Sequence, residues 1–268
     1  MGSKKILYVC QEVTPYLAET PESALCRELL QAIQERGNEI RTFMPRYGLI
    51  NERRNQLHEV IRLSGMNLII DDNDHQLIIK VASIPSARAQ IYFIDNDDYF
   101  ARKAVLEDAS GEEFEDNDER AIFFARGVLE TVKKLRWEPA IVHCHGWFSF
   151  LVAAYLRNTF ADDPVFKGVK IVASFNSKGF DKTLAAEFKS KLESEGIVDA
   201  DCTILSDPTY QNLCRYVISC ADGIVFSSED VDEELVAAAR QSGKPVLEYQ
   251  SSTEADFFDN YDKFYDTL

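Results

Sequence analysis

The stretch KILYVCQEVTPYLAETPESALCRELLQAIQERG, residues 5–37, decides the fold. Residues 5–10 are apolar enough for a buried strand, and residues 21–36 repeat apolar side chains at the spacing of an amphipathic helix that Gly37 ends. A strand, a loop and a helix in this order predict the first unit of a doubly wound α/β sheet. In that architecture the first loop is often rich in glycine, because backbone amides and the helix N-terminus bind a phosphate there.

The loop at residues 12–23 has the opposite chemistry. It contains no glycine, and Glu12 and Glu22 contribute to its acidity. Thr20 is a good N-cap and Pro21 a good first helical residue, while Glu22 complements the positive end of the helix dipole. An incoming pyrophosphate would meet like charge and find no lysine. We therefore interpret the loop as a helix start rather than a phosphate-binding loop.

Strand-like and helical runs continue to alternate along the chain. Residues 58–95 interrupt this strand–helix alternation with short runs in which apolar and polar residues alternate. These runs predict hairpins ending in a strand at 90–95. Residues 101–113 are polar and predict a surface loop. The predicted fold is α/β, with a doubly wound, mostly parallel, Rossmann-like sheet and a small β-hairpin insertion. Further predicted strands are 39–45, 140–145, 169–175, 223–228 and 244–250, and further predicted helices are 115–137 (capped by Asp116 or Asn117), 147–157, 183–194, 208–221 and 229–242.

Composition narrows the functional class. The 268 residues carry a formal net charge of −16, which argues against a nucleic-acid partner because such partners require a basic face. The sequence shows no signal peptide and no apolar run of about 18 residues, so we expect a cytoplasmic protein with no membrane partner. Its six cysteines form no C-x-x-C pair, and we expect reduced, buried thiols and no metal.

Several motifs resemble those of one family, the bacterial glycogen/starch synthases, which are GT-B glycosyltransferases. The resemblance covers nearly the whole chain and is to the N-terminal half of those enzymes, so we expect a single GT-B half within these 268 residues. The segments that carry it are EVTPY (12–16), ERGNEIRTFMPRYG (35–48), YFIDNDDYFAR (92–102), EDNDERAIFFARGVLE (115–130), EPAIVHCHGWFS (138–149) and YVISCADGIVFSS (216–228).

The resemblance fails at residues that the family uses at its active site. The family's Lys-Thr-Gly-Gly run, which binds the sugar nucleotide, corresponds to residues 18–21, which read AETP. The acid and the last histidine of its His-Asp-Trp-His run correspond to Gly146 and Phe148, and the histidine of its His-Asn pair to Phe175. The resemblance therefore implies a protein that is catalytically inactive alone and acts by binding a glucan or a protein partner. The alternative is a glucosyltransferase subunit whose partner chain supplies the donor domain.

Family residues that the chain retains define a candidate binding site. Glu12, Tyr99, His145, Trp147 and Asn176 follow or end predicted strands on the side where open α/β sheets place their crevice. The resemblance implies a remnant substrate-binding pocket with no catalytic residue and no cofactor. We expect its ligand to be a glucan or, with weak affinity, a sugar nucleotide.

Some residues near this site have more than one interpretation. His143 and His145 alternate with Cys144 on a strand, so both histidines face one side. His145 is then a pocket residue, a hydrogen-bonded core histidine or a metal ligand. Lys178 is either a phosphate-binding side chain in the crevice or an exposed loop lysine. The run SSED at residues 227–230 is typical of a helix N-cap.

The C-terminal segment completes the expected domain organisation. Residues 1–250 form the Rossmann-like domain, and residues 251–268 form an amphipathic helix packed on it, with a disordered acidic tail as the alternative. In the resembling family a C-terminal helix crosses back onto this half, and such a surface would also suit a protein partner or a second copy of the chain. The aromatic residues on the expected helix face are Phe257, Phe258, Tyr261, Phe264 and Tyr265.

Overall fold

Strands and helices alternate along the described chain. A computed structural model describes residues 2–268, and within them ten strands and eight α-helices follow one another. The strands are β1 Lys5–Cys10, β2 Glu39–Pro45, β3 His58–Glu59, β4 Met66–Ile70, β5 Asn73–Ile84, β6 Ala89–Asp95, β7 Ile141–His145, β8 Lys170–Phe175, β9 Gly223–Phe226 and β10 Val246–Leu247. The helices are α1 Pro21–Glu35, α2 Asp97–Phe100, α3 Asn117–Leu135, α4 Leu151–Arg157, α5 Phe188–Ser194, α6 Tyr210–Cys220, α7 Glu233–Gln241 and α8 Phe257–Asp266.

The sheet reverses its strand order beside β1. Its order is β10-β9-β8-β7-β1-β2-β6-β5-β3, with β4 paired to β5. All pairs from β10 to β6 are parallel, and the antiparallel pairs are confined to the hairpins of β3 to β6. The predicted doubly wound, mostly parallel sheet with a hairpin insertion is therefore confirmed. The chain winds from β1 towards β2 on one side and returns at β7 on the other, and the switch between β1 and β7 is where such sheets open a crevice.

The central strands are apolar because helices cover both faces of the sheet. All five residues of β7 are buried, as are five of the six residues of β1. Among residues 2–268, no helix has the length and apolarity needed to cross a membrane.

Several predicted helix starts are wrong by a few residues, and tertiary contacts explain the shifts. Helix α5 begins at Phe188 instead of 183, because the amides of Asp181 and Lys182 bind the Glu113 carboxylate and hold that segment in a loop. Helix α7 begins after its N-cap Asp232, so the SSED run at 227–230 is not its cap.

The predicted N-cap position of α3, Asp116, is confirmed, but the side-chain hydrogen bond of a cap is not formed. Asp116 occupies the N-cap position but makes no capping hydrogen bond, because its carboxylate pairs with the Arg102 guanidinium. Asn117 instead bonds the Leu106 carbonyl and accepts from Arg120. The predicted strand 244–250 shrinks to two residues at the edge of the sheet, where only one neighbouring strand can pair with it.

Helix α8 lies in the C-terminal segment and buries one aromatic face. Phe257, Tyr261, Phe264 and Tyr265 are buried, and Phe258 is half-buried. The Tyr265 hydroxyl lies 2.9 Å from the Tyr8 hydroxyl and 2.7 Å from His143 Nδ1. This helix is therefore joined by hydrogen bonds to the two central strands, β1 and β7.

Candidate functional site

A cavity of about 300 Å³ opens beyond the C-terminal ends of β1, β8 and β9. Its walls come from the loops that follow these strands, from the segment after β10 and from the first turn of α1. They carry four carboxylates, one lysine, one aromatic ring and several hydroxyl and amide groups. The lining residues are Glu12, Thr20, Pro21, Glu22, Asn176, Ser177, Lys178, Ser227, Ser228, Glu229, Asp230 and Tyr249.

The first loop closes the N-terminus of α1 with its own side chains. The Ser23 amide donates to the Thr20 hydroxyl at 3.0 Å, and the Thr20 amide donates to the Ser23 hydroxyl at 2.9 Å. This reciprocal pair is a capping box. The Thr20 hydroxyl also donates to the Glu12 carboxylate. The predicted cap is confirmed. The Thr20 and Ser23 hydroxyls bind backbone amides at the helix N-terminus, and in a glycine-rich loop such amides would be free to bind a phosphate.

Glu22 belongs to the cavity floor as well as to the first turn of α1. Its Oε2 accepts a hydrogen bond of 2.6 Å from Asn176 Nδ2, which joins α1 to the loop after β8. Only 8% of the residue is exposed, and burial raises the pKa of its carboxyl to about 7. The sequence indicates only the interaction of Glu22 with the helix dipole, because the end of β8, whose loop contacts Glu22, is far away in the chain.

The structure brings together two of the five predicted site residues in the cavity wall and a third behind it. Glu12 and Asn176 line the cavity. His145 is fully buried, and its ring lies behind Glu22, whose carboxylate is within 4.8 Å of a ring nitrogen. Burial lowers the pKa of His145 to about 3, so the imidazole is neutral at physiological pH.

Tyr99 and Trp147 do not line this cavity. The Tyr99 hydroxyl lies 3.0 Å from His75 Nε2 and donates to Glu119 at 3.1 Å. Trp147 packs edge-on against Phe180, with 4.8 Å between ring centroids. Both residues are almost fully buried and serve packing in this structure.

Sequence reasoning missed one side of the cavity. The residues after β9 were interpreted as a helix cap, yet Ser227 and Ser228 face the cavity, with Glu229 and Asp230 beside them. Their position after a central parallel strand was the signal that could have found them. Tyr249, which is 42% exposed, follows the short edge strand β10 and gave no such signal.

The charge balance of the cavity disfavours anions. Four carboxylates face one cation, Lys178, whose ammonium is exposed at the rim. The hydroxyl, amide and carboxylate groups can exchange hydrogen bonds with a neutral ligand rich in hydroxyl groups. The exposed ring of Tyr249 adds an apolar surface on which such a ligand can pack.

Comparisons with known proteins identify relatives of this chain. The family model described as the starch synthase catalytic domain matches residues 5–247. The glycogen synthase of Chlorobaculum tepidum is 39% identical over 202 residues, which cover 72% of this chain and 41% of that protein. The glycogen synthase of Chlorobium luteolum is 36% identical over 198 residues, which cover 70% and 40% of the two chains. The chain thus spans about two fifths of the length of these relatives.

One solved structure shows the same fold. It is the catalytic domain of starch synthase IV from Arabidopsis thaliana bound to ADP and acarbose, with a TM-score of 0.74 and 15% sequence identity. The match covers 93% of this chain and 52% of that one. The expected likeness to one half of that catalytic domain is confirmed at the level of the fold.

Proposed function

This chain belongs to the starch synthase catalytic domain family of glycosyltransferases, and from that premise we propose that it binds a glucan and does not transfer glucose by itself. The observation that carries the proposal is the hydrogen bonding of the first loop, between β1 and α1. Where the resembling family has Lys-Thr-Gly-Gly, Thr20 caps helix α1 and hydrogen-bonds to Glu12. The helix N-terminus is thereby occupied by the chain's own groups.

The charge around that loop supports the exclusion of a sugar nucleotide. Glu12, Glu22, Glu229 and Asp230 surround the place where a diphosphate would approach α1. Even with Glu22 protonated, the remaining carboxylates repel a diphosphate, and the single cation Lys178 does not balance them. A nucleotide sugar therefore loses the main source of its binding energy here.

The same groups suit a neutral oligosaccharide. Sugar hydroxyls both donate and accept, so they can pair with the carboxylates, the Asn176 amide and the hydroxyls of Ser227 and Ser228. Tyr249 also lines two neighbouring cavities, so its exposed ring can contact a ligand longer than the central cavity. This shared aromatic ring favours a chain-like ligand over a single sugar.

Calorimetry tests this proposal. The chain is titrated with maltooligosaccharides, ADP-glucose and UDP-glucose. We expect heat of binding with the maltooligosaccharides alone, weakened about tenfold by Tyr249→Ala, which corresponds to about 1.4 kcal/mol. Ile69→Ala removes a comparably exposed apolar side chain in the hairpin insertion and leaves the affinity unchanged. Tight binding of ADP-glucose without any binding of maltooligosaccharide contradicts the proposal.

Lys178 favours a second candidate function. A partner chain that supplies a donor domain would place a diphosphate across the cavity mouth, and Lys178 is an exposed cation at that mouth. The chain would then be a glucosyltransferase subunit. Glucosyl transfer that appears only when a second polypeptide is added, and that Lys178→Ala reduces, would favour this candidate over the first.

A further inference from the structure

Two neighbouring histidines on the same face of β7 have different surroundings. His143 is satisfied at both ring nitrogens, with Nδ1 2.7 Å from the Tyr265 hydroxyl and Nε2 2.7 Å from the Ser174 hydroxyl. The His145 ring lies 3.9 Å from the His143 ring, between centroids, and is fully buried. Neither His145 nitrogen has a hydrogen-bond partner within residues 2–268. Buried polar atoms are nearly always partnered, so this side chain is exceptional.

Two further metal-ligating groups lie close to the His145 ring. A carboxylate oxygen of Glu22, the Cys26 sulfur and a His145 nitrogen all lie within 4.8 Å of one another. Glu22 and Cys26 are four residues apart on α1, so they share one helix face, and the Cys26 sulfur lies 4.0 Å from Glu22 Oε1. We propose that Glu22, Cys26 and His145 form a binding site for a divalent cation of intermediate softness, Zn²⁺.

The donor set selects the metal. Thiolate, imidazole and carboxylate together are typical of zinc, whereas magnesium and calcium prefer oxygen ligands alone. Tetrahedral zinc places its ligand atoms about 3.5 Å apart, so the three donors must approach one another by up to about 1.3 Å. Binding releases the Cys26 thiol proton to solvent.

A neighbouring amide orients one of the three donors. Asn176 donates to Glu22 Oε2 and so holds Oε1 towards Cys26, as a hydrogen bond to a ligating carboxylate should. Cys10 is paired in register with His145 on the adjacent strand, so its side chain lies on the same face of the sheet as His145. The three donors that lie within 4.8 Å of one another remain Glu22, Cys26 and His145.

The position of the site gives the ion a route and a structural role. Glu22 lines the cavity, so an ion can enter through the cavity floor. Once bound, it would link α1 to the end of β7 at the switch point of the sheet.

Metal binding by the full chain tests this proposal. The protein is reduced with a phosphine, freed of metal with a chelator, and loaded with Zn²⁺ or Co²⁺. We expect one equivalent of Zn²⁺ to remain after dialysis, and Co²⁺ to give the charge-transfer absorption of a thiolate ligand. Cys26→Ala abolishes that absorption, and His145→Gln abolishes tight zinc binding.

Matched variants distinguish the residues that bind the metal ion from neighbouring residues that do not. Cys144→Ala removes an equally buried thiol from the opposite face of β7, and it leaves zinc binding and the thiolate absorption unchanged. Asn176→Ala keeps the absorption but weakens zinc binding about 10–100-fold, because the residue positions Glu22. The proposal is overturned if the unsubstituted chain shows no thiolate absorption with Co²⁺, or if the absorption survives in Cys26→Ala.

Discussion

Asn176 Nδ2 lies 2.6 Å from Glu22 Oε2, and this hydrogen bond joins the loop after β8 to the first turn of α1. It crosses the floor of the cavity and orients an acid that is almost fully buried. The bond thus connects the closure of the helix N-terminus to the opposite wall of the candidate site.

Removal of this amide should destabilise the fold. Asn176→Ala leaves a buried carboxyl oxygen without its partner, and we expect the free energy of unfolding to fall by about 1–3 kcal/mol. Urea denaturation measures the change. Asn67→Ala, at an exposed position on β4, is the control and should stay within about 0.5 kcal/mol of the unsubstituted chain. Equal effects of the two substitutions would contradict a special role for Asn176.

Restoring the family's loop should restore affinity for a diphosphate. The combined substitutions Ala18→Lys, Glu19→Thr, Thr20→Gly and Pro21→Gly remove one acid and the cap and add a lysine. We expect ADP to bind about tenfold more tightly than to the unsubstituted chain, a gain of about 1.4 kcal/mol. Calorimetry measures it. Glu107→Thr with Ala109→Lys makes the same charge change in an exposed loop, and a comparable gain there would refute a local effect.

The Tyr265 hydroxyl should contribute to the docking of α8. Tyr265→Phe removes the partner of both Tyr8 and His143, and we expect the free energy of unfolding to fall by about 1–3 kcal/mol. Tyr249→Phe removes a hydroxyl from an exposed ring and should leave stability unchanged. Thermal unfolding that cannot distinguish the two variants would show that these bonds do not stabilise α8.

A side chain at position 146, where the resembling family has an acidic residue, should destabilise the fold. The φ of 76° and ψ of 150° of Gly146 lie in a region reserved for glycine, and a Cβ there would meet Gln11 Cβ at 2.8 Å. We expect Gly146→Ala to lower the free energy of unfolding by about 1–3 kcal/mol. Gly168→Ala, at a φ of 75° in open space, reports the cost of a positive φ without a steric contact. A smaller loss at Gly146 than at Gly168 would argue against the contact with Gln11.

Local signals predicted the framework well. The cap at Thr20 and Pro21 lies within a few residues of the helix it starts, and alternation along β7 placed His143 and His145 on one face, as the structure has them. The start of α5 could not be predicted, because the Glu113 carboxylate that holds the preceding loop comes from a distant segment.

The site was predictable only where it follows the central strands. Glu12 and Asn176 were found by that rule, whereas Tyr249 follows an edge strand of two residues. The difference between His143 and His145 depends on Tyr265, which is 122 positions from His143 in the chain. Sequence patterns of single elements carry no information about such partners.

Glucosyl transfer by the chain of 268 residues tests the central claim most directly. The protein is incubated with maltooligosaccharide and labelled ADP-glucose or UDP-glucose, and label in the polymer is counted against a reaction without protein. We predict no incorporation above that background, because the capped and acidic N-terminus of α1 does not hold the donor diphosphate. Incorporation above background that Lys178→Ala reduces would contradict the account.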